Sequence, residues 1–182
     1  MNITLIAGTN RTNSRTGRVT RHIQERFEHY GVSTTRLDLV DLPIELLSPE
    51  AYAEPPRGFL RFSEAVLQAD GLYVVAPEYN GSYPGALKLF IDHLPFPESF
   101  EGRPVAFAGI AAGIFGNLRG IEQLQMVFGY RNAHIFPKRL FISGATRAVS
   151  DDGSLTDAKA TERLEQQIQD YITFVRRLRA ES

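Results

Sequence analysis

Apolar runs of a few residues alternate along this chain with longer stretches in which apolar positions recur every three or four residues. The short runs predict buried strands and the longer stretches predict amphipathic helices. Ile3 to Ala7 is the first strand. A helix follows from about Ser14 to Tyr30, with Val19, Ile23, Phe27 and Tyr30 on one face. Thr34 to Leu39 is the second strand. The next segment, Asp41 to Pro56, is irregular and carries Pro43, Pro49, Pro55 and Pro56. A short helix from about Gly58 to Ala69 leads to strand three, Leu72 to Ala76. Helix three runs from about Pro84 to Leu94. Strand four is Val105 to Ile110, and a helix lies near Leu118 to Gly129. Strand five falls within Ala133 to Ile142, where Pro137 is a candidate interruption. Thr156 is the expected N-cap of the last helix, whose apolar face is Leu164, Ile168, Tyr171, Ile172 and Val175. Five strands alternating with five helices predict an α/β fold, a parallel sheet covered on both faces. Periodicity leaves the strand order open.

The 182 residues suit a single domain spanning the chain. A hydrophobic share of 43% is that of an ordinary soluble protein. The net charge of −1 offers no global attraction to nucleic acid or to an anionic membrane. Without cysteine there is no disulfide, thiolate nucleophile or Cys-ligated metal. No apolar run approaches the roughly 18 residues of a membrane span, and a strand-like run begins at Asn2. Cytoplasmic location is the expectation. His22, His29, His93 and His134 form no H-x-x-x-H or H-E-x-x-H pair, so no metal site is expected. No Gly-x-Ser-x-Gly elbow is present either. The tail Arg176-Arg177-Leu178-Arg179 is expected to complement the dipole of the last helix.

Three strand-to-helix loops remain. The first is Gly8-Thr9-Asn10-Arg11-Thr12-Asn13-Ser14-Arg15-Thr16-Gly17. It is rich in hydroxyls, carries two arginines and opens a helix whose free N–H groups attract anions. A phosphate cradle and an ordinary capped turn both fit these residues. No Gly-Lys-Ser/Thr follows Gly8, and the three glycines of a dinucleotide fingerprint are missing. Hydroxyls in place of glycines suit a monophosphate better than a pyrophosphate. The second loop, Pro77-Glu78-Tyr79-Asn80-Gly81-Ser82-Tyr83-Pro84-Gly85, sets two tyrosines beside glycines. That combination suits a flat ring with polar edges. The third, Ala111-Ala112-Gly113-Ile114-Phe115-Gly116-Asn117, fits either tight strand–helix packing or close approach to a ligand. Loops after strands one, three and four of a doubly wound sheet meet at its topological switch point.

The run Gly8 to Ser14, taken with Pro77-Glu78-Tyr79-Asn80-Gly81-Ser82-Tyr83-Pro84-Gly85-Ala86-Leu87-Lys88, resembles the NAD(P)H-dependent FMN reductases, a family that includes quinone, azo-dye and chromate reductases. The resemblance implies a flavodoxin-like sheet of order 2-1-3-4-5 and bound FMN. It puts the FMN phosphate on Thr9, Arg11, Ser14 and Thr16, with Arg15 beside them. It puts the ribityl chain and ring along Pro77, Glu78, Tyr79, Asn80 and Gly81. Ala111, Gly113, Phe115, Gly116 and Asn117 fall on the loop at the ring's other edge. The hydride donor is NADPH or NADH, and the acceptor a small molecule such as a quinone or free flavin. A homodimer or homotetramer is implied, with the ring partly covered by a neighbour. Asn117 stands where a second glycine is frequent. It is either the N-cap of its helix or a side chain narrowing the space over the ring. Leu89 and His93 replace residues that are often Asn and Trp. Arg15, Arg18 and Arg119 are each candidates for a 2′-phosphate. No catalytic side chain is expected, since the flavin itself performs the redox chemistry. The rival reading is a non-enzymatic flavin-binding carrier or partner-binding module. The near-neutral charge disfavours it, because carriers of that fold are usually strongly acidic.

Overall fold

The computed structural model describes residues 1–180. Its strands are β1 (Asn2–Ala7), β2 (Ser33–Asp38), β3 (Gly71–Pro77), β4 (Pro104–Ile110), β5 (His134–Ile135) and β6 (Leu140–Ile142). All pair in parallel, in the order β2-β1-β3-β4-β5, and β6 also pairs with β4. This is the flavodoxin-like order that the resemblance implies. The helices are α1 (Arg15–His29), α2 (Arg57–Leu67), α3 (Gly85–Asp92), α4 (Leu118–Tyr130), α5 (Ala145–Ala148) and α6 (Ala158–Ala180).

Strands β3 and β4 are buried at every position. Their residues therefore read as continuous apolar runs, as expected of strands covered on both faces. Alternation divides them between two cores. Tyr73, Val75, Ala106 and Ala108 pack with Val19, Ile23 and Phe27 of α1 and Leu164, Ile168 and Tyr171 of α6. Leu72, Val74, Ala76 and Phe107 pack on the other face with residues of α2, α3 and α4, such as Phe62, Phe90 and Leu124. On the first face, the buried Tyr171 hydroxyl donates to Leu72 O at 2.7 Å and to Pro104 O at 2.9 Å. Gln167 Nε2 donates to Phe107 O at 3.0 Å.

Strand five is interrupted at Pro137, as the sequence suggests, into two pieces, β5 and β6. Pro137 offers no N–H to a ladder, and β4 takes its partners before and after it. Thr156 does not cap α6, because its Oγ1 donates instead to Arg147 O at 3.0 Å. The adjacent Asp157 takes the cap, its Oδ2 accepting from Ala160 N at 2.8 Å. The proline-broken segment is not irregular throughout: Leu39–Asp41, Ile44–Leu47 and Pro49–Tyr52 form short 3₁₀ turns. The basic tail reaches back, and Arg179 Nη1 lies 3.0 Å from Asp70 Oδ2. No helix of the described residues is long and apolar enough to cross a membrane.

Candidate functional site at the carboxyl edge of the sheet

The ends of β1, β3 and β4 lie side by side, in the registers Ala7 to Val75 and Pro77 to Ile110. Their loops therefore meet above the sheet, where the switch-point rule puts a ligand. A cavity of about 310 Å³ opens there. Arg11, Thr12, Asn13, Ser14, Arg15 and Thr16 line one part of it, and Pro77, Glu78, Tyr79, Ala111 and Ala112 line another.

The first part is cationic and rich in donors. Ser14 caps α1, its Oγ accepting from Gly17 N at 3.0 Å. Arg18 N bonds Ser14 O at 3.2 Å. The N–H groups of Arg15 and Thr16, in the first turn, have no acceptor within the helix. They and the helix dipole favour an anion. Arg11 and Arg15 are exposed, and no ion pair to a carboxylate is found for either among the described residues. Arg11 instead lies over the Tyr79 ring, 5.8 Å from its centroid.

Thr9 and Tyr79 join the first two loops. Their hydroxyls pair at 2.5 Å, and Thr9 Oγ1 also accepts from Arg11 N at 3.2 Å. Thr9 is buried, and its hydroxyl is engaged within the chain. Glu78 is tied down by its backbone, N–H to Ile110 O at 3.1 Å, while its side chain is exposed. Tyr79 and Ser82 exchange backbone bonds of 2.9 and 3.1 Å, closing a tight turn over Asn80 and Gly81. Asn80 (φ +53°) and Gly81 (φ +76°) are left-handed there. A Cβ on Gly81 would meet nothing within 4 Å, so the turn presents bare backbone to open space.

The third loop divides. Ala111 and Ala112 reach the cavity. Gly113, Phe115, Gly116 and Asn117 do not line it. Phe115 is 63% exposed and Ile114 82% exposed. Gly116 and Asn117 turn inward and are buried. Asn117 is the N-cap residue of α4, as one expectation had it, with its O accepting from Ile121 N at 3.0 Å. It is left-handed (φ +70°), and its side chain makes no cap bond. Its side chain is fully buried, with Nδ2 donating to Ala76 O at 2.9 Å. It ties the end of β3 to the start of α4. Gly120 makes room for it, because a Cβ there would lie 2.1 Å from Asn117 Oδ1 and 2.8 Å from Tyr83 N.

The cavity also takes in residues outside the predicted set. Thr12 and Asn13 lie inside the first loop and share its polarity. Ala145 and Thr146 come from the four-residue α5, too short to show a helical period. His93 is buried away from the cavity, stacked on Tyr52 with ring centroids 4.4 Å apart.

The cationic end has the donors that a phosphate monoester such as that of FMN needs. Pro77, Glu78, Tyr79, Ala111 and Ala112 line another part, while Asn80 and Gly81 lie outside the cavity. Comparison with known proteins points the same way. The family model described as NADPH-dependent FMN reductase matches residues 1–147. The NAD(P)H-dependent FMN reductase PA1204 of Pseudomonas aeruginosa is 36% identical over 152 residues, covering 82% of each chain. An FMN-dependent NADPH-azoreductase of Staphylococcus aureus is 25% identical over 177 residues, covering 94% of this chain and 93% of its own. Among solved structures, the flavoenzyme NAD(P)H:(acceptor) oxidoreductase FerB of Paracoccus denitrificans superposes with a TM-score of 0.81 at 24% identity, covering 97% of each chain.

Proposed function

The chain belongs to the family of NADPH-dependent FMN reductases, and from that membership we propose that its cavity holds the phosphate and ribityl end of FMN, with a quinone or free flavin as the final electron acceptor. It is an FMN-dependent oxidoreductase that uses NAD(P)H. When bound, FMN would supply the two-electron redox chemistry. The protein's part is binding, orientation and electrostatics.

In this reading Arg11 and Arg15 neutralise the phosphate, which receives the free N–H groups of the first turn of α1. The Ser14 hydroxyl, already an acceptor for Gly17 N, has its proton free to donate to a phosphate oxygen. The Thr9–Tyr79 hydroxyl pair fixes the spacing between the phosphate loop and the ring loop. The backbone from Pro77 to Gly81 carries the polyol and the ring edge, and Gly81 allows close approach. Glu78 acts at the ring edge through the fixed position of its backbone, without serving as a base. Ala111 and Gly113 flank the opposite edge, and Phe115 offers apolar cover that excludes water. Gly116 and Asn117 support that loop from beneath. The exposed Ile114 and Phe115 suit a homodimer or homotetramer in which a neighbour completes the cover. The near-neutral, cysteine-free composition suits a cytoplasmic enzyme.

The observation that carries this reading is the convergence of three loops on one cavity with a cationic end. The test is titration of the apo-protein with FMN and riboflavin, followed by NADPH oxidation with a quinone, free FMN or an azo dye as acceptor. FMN is expected to bind more tightly than riboflavin, and the quinone or flavin to support turnover. Equal affinity for the two flavins would remove the phosphate from the cavity. Turnover confined to the azo dye would replace the proposed acceptor.

A further inference from the structure

The chain holds six asparagines, Asn2, Asn10, Asn13, Asn80, Asn117 and Asn132, and Asn80 is the one followed by glycine. An asparagine carboxamide is open to attack by the backbone nitrogen of the next residue, which is one reason the residue is thermolabile. The attack needs a free carboxamide, a free nitrogen and room around that nitrogen. The fold grants these conditions unevenly.

Four positions fail. The Asn2 carboxamide donates to Thr35 Oγ1 at 3.3 Å, and Ile3 after it is buried in β1. Arg11 N, after Asn10, donates to Thr9 Oγ1 at 3.2 Å. Asn117 is buried, and Leu118 N after it bonds Phe115 O at 3.0 Å. Ala133 N, after Asn132, bonds Phe128 O at 3.1 Å. Asn13 and Asn80 remain, and they are closely matched. Both are exposed and both have φ +53°. Neither carboxamide is hydrogen-bonded, and no acceptor is found for Ser14 N or Gly81 N among the described residues. They differ in the residue that carries the nitrogen. Ser14 has a Cβ and caps α1 through its Oγ. Gly81 has none, and a Cβ placed there would meet nothing within 4 Å, so open space surrounds its nitrogen.

We propose that Asn80–Gly81 is a spontaneous deamidation site, and that conversion there costs the chain its hold on the flavin. Gly81 N attacks Asn80 Cγ. The N–Cγ bond forms and the Cγ–Nδ2 bond breaks. The proton of Gly81 N passes through solvent to Nδ2, which departs as ammonia. Water then opens the cyclic imide. Opening at Cγ leaves aspartate, and opening at the main-chain carbonyl leaves isoaspartate, whose backbone runs through Cβ. Either product puts a carboxylate on the turn. Isoaspartate also adds a methylene to the chain between Tyr79 and Ser82, whose mutual backbone bonds of 2.9 and 3.1 Å close the turn. Opening that turn loosens Tyr79 from Thr9, its hydroxyl partner at 2.5 Å. The loss of flavin rests on the reading that FMN lies along Pro77 to Gly81, whereas the modification itself does not.

The test ages the full chain at mildly alkaline pH, with and without FMN, and maps its peptides by mass spectrometry. Without FMN, Asn80 is expected to gain the mass of an NH-to-O exchange, partly as isoaspartate, while Asn13 stays intact. Gly81→Ala should slow Asn80 to the pace of Asn13. The share of chains that take up FMN, read by visible absorbance, should fall in step with the isoaspartate share. Bound FMN should protect Asn80 by covering the turn. Conversion of Asn80 no faster than that of Asn13 would overturn the modification site, whatever the flavin does. Converted chains that still bind FMN fully, in a protein whose Asn80 is protected by FMN, would overturn the claimed loss. Fast conversion that FMN does not slow and FMN uptake does not register would take the flavin off this loop and leave the modification site standing.

Discussion

The loop after β1 and the loop after β4 start alike and end differently. Each leaves a buried parallel strand, opens a helix and carries a left-handed asparagine, Asn13 (φ +53°) or Asn117 (φ +70°). Asn13 is exposed and lines the cavity. Asn117 is fully buried and bonded to Ala76 O. The first loop keeps arginines and first-turn N–H groups for something outside the chain, whereas the second directs its polar groups inward. Gly109 and Gly120 explain the difference, because without side chains at those positions the second loop settles onto the sheet. Glycine-rich composition alone does not say whether a backbone approaches a ligand or another part of its own chain.

The strongest attack on this contrast is Gly109→Ala. A Cβ at Gly109 would lie 2.3 Å from Gly116 O, a backbone atom with nowhere to go. Overpacking of this kind is expected to cost about 3 kcal/mol of stability, read by chemical denaturation. A loss below about 0.5 kcal/mol would mean that the loop is not seated on the sheet. The counterpart in the open loop is Arg11→Ala. It should leave stability within about 0.5 kcal/mol but weaken FMN by about 1.5–3 kcal/mol while sparing riboflavin. Equal weakening of both flavins would detach Arg11 from the phosphate.

Smaller changes sharpen the comparison. Asn117→Gly keeps the left-handed backbone and deletes the bond to Ala76 O, at an expected cost of about 1 kcal/mol. Steady-state kinetics with two acceptors of different size should not change, because the side chain is buried beneath the loop. A widened acceptor range would put it back over the ring. Tyr79→Phe removes the hydroxyl that pairs with Thr9 and should cost only about 0.5 kcal/mol. Any larger effect should show in FMN affinity, since that pair spans the two cofactor loops.

What the sequence made legible follows from physical range. Strands β3 and β4 are buried on both faces, so every position is apolar and the run is easy to see. Helix α1 displays its period through Val19, Ile23 and Phe27, and Ser14 caps it. The polar, arginine-bearing loop after β1 was visible because its residues are neighbours in sequence. The fate of Asn117 was not, because it depends on Ala76, forty-one positions earlier. Thr156 and Asp157 are adjacent residues of the same capping type, and only the path of the chain past Arg147 decides between them.

The last helix bears on how this protein comes apart. The match to the family ends at residue 147, yet Leu164, Ile168, Tyr171 and Val175 beyond it are fully buried. Tyr171 and Gln167 bond carbonyls of β3 and β4, the two central strands that carry the ring loop and its neighbour. Helix α6 is therefore expected to unfold together with the sheet. A chain cut at the edge of the family match would lose about a third of one core, and with it the support beneath β3 and β4.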